Sequence, residues 1–162
     1  MSKNDSDNLD IILETGELKQ ESVLSNIRSL DIKASIILAF FGVLLIPSVE
    51  IFRWTIINKK LIYLKIFLGL IIIIGILFCL LALIPQKLYS YPRLSGLISL
   101  YHQGINPDQL KAELISYYEL ACIENKKISK KKLFLVKTTY IFLALSFIVI
   151  MLLYIFKGEI DG

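Results

Sequence analysis

The sequence predicts an all-α integral membrane protein with three transmembrane helices and a helical cytosolic insertion between the second and third. Three observations carry that reading. Of the 162 residues, 56% are hydrophobic, against the roughly 45–50% of an ordinary soluble domain. The excess falls in three charge-free blocks, 34–49, 66–86 and 138–156. The polar residues gather mainly at the N-terminus and between the last two blocks.

Residues 1–20 are polar and acidic, with Asp5, Asp7, Asp10, Glu14 and Glu17. They lack the basic start and early apolar core of a secretory signal. The segment is expected to be retained and flexible. From Val23 onward, Leu24, Ile27, Leu30 and Ala34 recur at three- and four-residue steps, which is one face of a helix. Ser22 is the expected N-cap. An amphipathic helix over 21–53 therefore continues into the first span. Its charge-free core, 34–49, measures about 24 Å at 1.5 Å per residue, short of a hydrocarbon core of about 30 Å. Lys33 can close part of the gap by snorkelling.

The second span is expected over 61–85, ended by Pro85, and the third over 133–156, with its charge-free block 138–156 flanked by Lys137 and Lys157. Both have apolar lengths near the hydrocarbon thickness. Between them, 86–132 reads as a surface linker around Tyr91-Pro92-Arg93, a short helix marked by Leu94, Leu97, Ile98 and Tyr101, and a longer one. Asn106-Pro107-Asp108 opens the longer helix: Asn caps, Pro suits the first turn, and Asp faces the positive helix end. No breaker separates that helix from the third span.

Basic residues set the orientation. Twelve Lys and Arg flank the spans on the side holding the N-terminus and 86–132, against four on the other side. The N-terminus is therefore expected in the cytosol and the C-terminus outside. The run Lys126, Lys127, Lys130, Lys131 and Lys132 suits anionic lipid headgroups next to a span. No stacking aromatics accompany it, so nucleic acid is not an expected partner.

No nucleophile elbow, phosphate-binding glycine loop or zinc pattern is present. Cys79, Cys122 and His102 form no spacing that would hold a metal. The chain is not expected to be an enzyme, nor to carry a resident cofactor. The constellation that stands out is Arg28, Asp31, Ser35, Ala39 and Gly42, spaced three or four apart on one helix face. Arg28 and Asp31 can pair at i, i+3. Ser35, Ala39 and Gly42 let another helix approach closely, either within the chain or in a second copy. A homo-oligomer is the expected assembly.

Asn26-Ile27-Arg28-Ser29-Leu30-Asp31-Ile32-Lys33-Ala34-Ser35 leading into an apolar span resembles the Pycsar transmembrane effector family of bacterial antiphage defence. Family members show an Asp-x-Lys-Ala entry to the first span, and often Thr where this chain has Ile32. The second span with Tyr91-Pro92-Arg93 just after it, the lysine-rich helical segment and the terminal span continue the likeness over about 20–156. The resemblance implies an inner-membrane effector. A partner pyrimidine nucleotide cyclase would make cyclic UMP or cyclic CMP on infection, and the effector would sense it, impair the membrane and abort the infection. Arg93, Arg28 and Lys33 are candidate phosphate donors and Tyr91 a candidate stacking partner for such a ligand. The alternative is a non-signalling membrane scaffold or an accessory subunit of a membrane complex.

Overall fold

A computed structural model describes residues 3–54, 62–89 and 105–161. Three α-helices make up the described chain: α1 (Lys3–Trp54), α2 (Ile62–Leu83) and α3 (Pro107–Asp161). Among the described residues there is no strand. Each helix contains a stretch long and apolar enough to cross a membrane. The chain is a multi-pass membrane protein. The expected short helix around Leu94–Tyr101 lies outside the described residues.

Burial follows one rule along all three helices. On α1 the buried positions are Gln20, Ile27, Leu30, Ala34, Ile37, Phe41, Leu44, Ser48 and Ile51. From Ile27 the steps alternate three and four. α2 repeats this with Lys65, Leu68, Ile72, Gly75, Cys79 and Ala82. α3 does so with Tyr118, Ala121, Asn125, Lys132, Leu135, Thr139, Ser146, Val149 and Leu153. A period of 3.5 residues is the signature of coiled-coil seams, with side chains interlocking as knobs in holes. The other faces carry large exposed apolar residues such as Ile36, Phe40, Val43, Ile73, Leu77, Ile148 and Met151, as lipid contact requires.

The chain divides into two compact units. Unit 1 holds residues 1–28 and 85–131, and unit 2 holds 29–84 and 132–162. Both α1 and α3 are unbroken across the change from one unit to the other.

Unit 1 corrects the expectation for the N-terminus. The helix does not begin at Ser22 after a flexible segment; α1 is helical from Lys3. The reason is tertiary. Gly16 lets α3 come close, with Tyr118 Cβ at 3.4 Å from where a Gly16 Cβ would stand. The Tyr118 hydroxyl donates to Glu17 Oε1 at 2.9 Å, and Lys111 Nζ meets Asp10 Oδ1 at 2.7 Å. Acidic side chains near a helix start also suit its dipole. The cap of α3 is as the sequence predicts: the Asp108 N–H donates to Asn106 Oδ1 at 3.3 Å. Asn125 grips the backbone of Tyr89, accepting from its N–H at 3.0 Å and donating to its carbonyl at 2.8 Å. This fixes the chain leaving α2.

Unit 2 is a three-helix bundle. Its core joins Leu30, Ala34, Ile37, Phe41 and Leu44 of α1 to Leu68, Ile72 and Cys79 of α2 and Val136, Val149 and Leu153 of α3. Phe78 and Phe142 stack at 5.8 Å between centroids. Pro47 sits within α1, where it removes one backbone donor. Next to it the Ser48 hydroxyl donates to the Leu44 carbonyl at 2.6 Å.

Candidate functional site

In unit 1, residues 11–23 of α1 and 115–126 of α3 enclose a half-open groove of about 550 Å³. Pockets that take small molecules run from about 300 to 1,000 Å³. Heptad packing alone would close the two helices along their length. Gly16 has no side chain to fill its position. The walls are Ile11, Ile12 and Val23 from α1 and Ile115, Tyr118 and Cys122 from α3. Lys19 of α1 and Lys126 of α3 also line the groove, with the hydroxyls of Thr15 and Ser22. Both lysines are exposed.

This combination has a definite chemistry. An apolar trough lined by Tyr118, which is 8% exposed, suits a flat ring. Two ammonium groups suit a single anionic group such as a phosphate. Glu119 also lines the groove, and its carboxylate offsets part of the attraction of the two lysines for an anion. Ile11 is 63% exposed and Ile123 is 48% exposed. Apolar side chains left open around a polar-rimmed groove mark a surface that binds something.

A second polar cluster lies beside the groove within unit 1. Gln20 is fully buried. Its Nε2 donates to the Tyr89 carbonyl at 3.4 Å, the same oxygen that Asn125 holds. Its Oε1 is buried without a hydrogen-bond partner.

The expected site residues are distributed differently from the groove. Arg93 and Tyr91 lie outside the described residues. Arg28 and Lys33 are exposed on α1, and neither lines the groove. Arg28 does not supply the partner for Asp31. The Asp31 carboxylate pairs with Lys132 of α3, because Lys132 occupies a seam position at 4% side-chain exposure and its buried ammonium needs an anion. Ser35, Ala39 and Gly42 are all exposed, and nothing stands within 4 Å of a Cβ built on Gly42. The intramolecular use of that face is therefore corrected: the bundle packs through Ala34, Ile37 and Phe41, one step around the helix.

Sequence reasoning passed over Lys19, Gly16, Tyr118 and Lys126 as a group. The available signal was the lone glycine in the acidic segment and the heptad spacing carried back to Gln20.

The family model of the Pycsar effector protein domain matches residues 19–157. No curated protein and no solved structure matches the chain.

Proposed function

Because the chain belongs to the Pycsar effector family, transmembrane effectors of antiphage defence, we propose that it senses a cyclic pyrimidine nucleotide, cyclic UMP or cyclic CMP, and responds by impairing the inner membrane. A pyrimidine nucleotide cyclase supplies the ligand on infection, and loss of membrane integrity ends the infected cell's use to the phage.

The observation that carries the sensing half of this reading is the groove between α1 and α3. It offers an apolar trough beside Tyr118 for a base, and Lys19 with Lys126 for the one phosphate charge. The basic-residue count supports a cytosolic position for this unit, where the cyclase product would appear. Both helices that line the groove continue in sequence into the membrane bundle. A ligand that prefers one spacing of these helices shifts the bundle by its differential affinity for the two spacings.

Self-association fits the same account. The exposed Ser35, Ala39 and Gly42 face lies on the first span and carries small residues, which is what helix contact in lipid favours. The test is release of a self-quenching dye from vesicles holding the purified chain, on adding cyclic UMP or cyclic CMP. Release expected in wild type should be lost in the double substitution Lys19→Glu, Lys126→Glu. Unaltered release in that variant would move the sensing site elsewhere, with Arg93 and Tyr91 the next candidates.

A further inference from the structure

The core of unit 2 is not uniformly apolar. On α3 the buried residues Lys132, Thr139 and Ser146 stand at seven-residue intervals, so they share one line of the seam over about 21 Å. α2 adds Cys79 and Lys65 to the buried set, and α1 adds Ser48. Each hydroxyl is satisfied within its own helix. Thr139 donates to the Leu135 carbonyl at 2.8 Å, Ser146 to the Phe142 carbonyl at 2.8 Å, and Ser48 to the Leu44 carbonyl at 2.6 Å. The Cys79 thiol donates to the Ala34 carbonyl at 3.7 Å. Across helices, the Cys79 thiol joins α2 to the Ala34 carbonyl of α1 and to the Thr139 hydroxyl of α3. Polar side chains in lipid-spanning helices are expensive, and they face interiors that carry water or ions.

Buried apolar side chains separate these polar positions, and Phe41 is the largest of those that are fully buried. Phe41 is fully buried and its ring lies against Gly75 of α2. A Cβ at position 75 would stand 2.4 Å from Phe41 Cζ, so only glycine leaves room for the ring. On α1, Phe41 is one heptad from Ala34, which receives the Cys79 thiol, and one heptad from Ser48. An aromatic ring at that place separates the polar positions on its two sides. Hydrophobic constrictions of this kind close pores by excluding water.

We infer that the seam of unit 2 is a closed path for water and small ions, lined by Lys132, Thr139, Ser146, Cys79 and Ser48, with Phe41 seated on Gly75 as its plug. The helices part around Phe41 when the path opens. The hydroxyls then meet water, and the bonds given up between helices are the weak ones of the Cys79 thiol with Ala34 and Thr139. This rests on the proposal that the protein impairs the membrane, and it names the route.

Cys79 is a native reporter of the route. A charged, membrane-impermeant thiol reagent attacks a thiol only where water reaches it, since the thiolate is the reacting species. The experiment uses the full chain with Cys122→Ser in dye- and salt-loaded vesicles. In the resting protein Cys79 should stay unmodified and the vesicles tight. Gly75→Ala should displace the ring, release ions without any nucleotide, and raise the rate of Cys79 modification by roughly tenfold or more. Phe41→Ala, which removes the plug without a clash, should do the same and covers the case in which Gly75→Ala fails to insert. A lipid-facing thiol, Leu80→Cys with Cys79→Ala, should remain inert throughout. Modification at Cys79 should then slow ion release. Leakage with Cys79 inert, whether from these variants or from wild type with cyclic UMP or CMP, would place the route outside the seam and overturn the inference while leaving membrane impairment standing. Tight vesicles in both variants would overturn it as well. An open path in the variants, with wild type silent to every nucleotide, would keep the path and remove the sensing proposal.

Discussion

Lys132 of α3 and Asp31 of α1 form an ion pair across 101 residues of chain, and the two partners differ in burial. Lys132 is 4% exposed at its side chain and Asp31 is 39% exposed. The pair is therefore asymmetric: removing the aspartate strands a buried ammonium, while removing the lysine leaves a carboxylate that water can reach. Truncating one partner of a buried pair is strongly destabilising, whereas an apolar replacement of the buried charge is often tolerated.

Asp31→Asn should accordingly lower the stability of the bundle by about 1–3 kcal/mol, and Lys132→Met by less. Thermal unfolding in detergent measures both. Equal losses, or a larger loss for Lys132→Met, would mean that the pair is held chiefly for the carboxylate.

Asn125 bonds both the N–H and the carbonyl of Tyr89, and Gln20 also reaches that carbonyl. Asn125→Ala leaves that N–H and carbonyl with fewer partners, at a cost of about 1–3 kcal/mol. Hydrogen exchange at residues 86–89 should quicken, with the membrane helices unaffected. Asn125→Asp keeps the acceptor for the Tyr89 N–H but sets a buried carboxylate oxygen against the Tyr89 carbonyl, so its loss should equal or exceed that of Ala.

Gly42 faces no neighbour within 4 Å. Gly42→Leu should leave insertion and the melting temperature of the bundle unchanged while weakening oligomers, because bulk on a small-residue face blocks helix contact. Cross-linking in membranes reads the assembly. An unchanged oligomer distribution would show that copies, if they meet, do so by another face.

Orientation follows from the basic residues. In a chain with Cys79→Ala and Cys122→Ser, a thiol placed by Lys127→Cys should resist an impermeant reagent in intact cells and react once the membrane is opened. Ready labelling in intact cells would reverse the topology.

The helical membrane class was legible because charge-free blocks of spanning length leave few other readings. The α3 cap was legible because Asn106, Pro107 and Asp108 each act locally. What escaped was long-range. Helix in residues 3–21 depends on Gly16 and Glu17 meeting Tyr118, more than 100 positions away in sequence, and an acidic polar segment looks flexible on its own. The Asp31 partner was read as Arg28 because spacing shows only neighbours on one helix. The small-residue face was seen, but spacing alone could not separate it from the seam one step around α1. The groove depends on the missing side chain at Gly16 and on which faces of α1 and α3 meet, which composition does not record.

The most direct measurement of the central claim is nucleotide-triggered dye release from phosphatidylethanolamine–phosphatidylglycerol vesicles containing the full chain. Cyclic UMP or cyclic CMP should release dye from wild type. Lys19→Glu with Lys126→Glu should need roughly tenfold more nucleotide or better, equivalent to losing about 1.4 kcal/mol or more of binding. Lys130→Glu, which alters an exposed charge that does not line the groove, should respond as wild type. Failure of wild type to release dye with any of a panel of cyclic nucleotides would contradict the account and favour a non-signalling membrane scaffold.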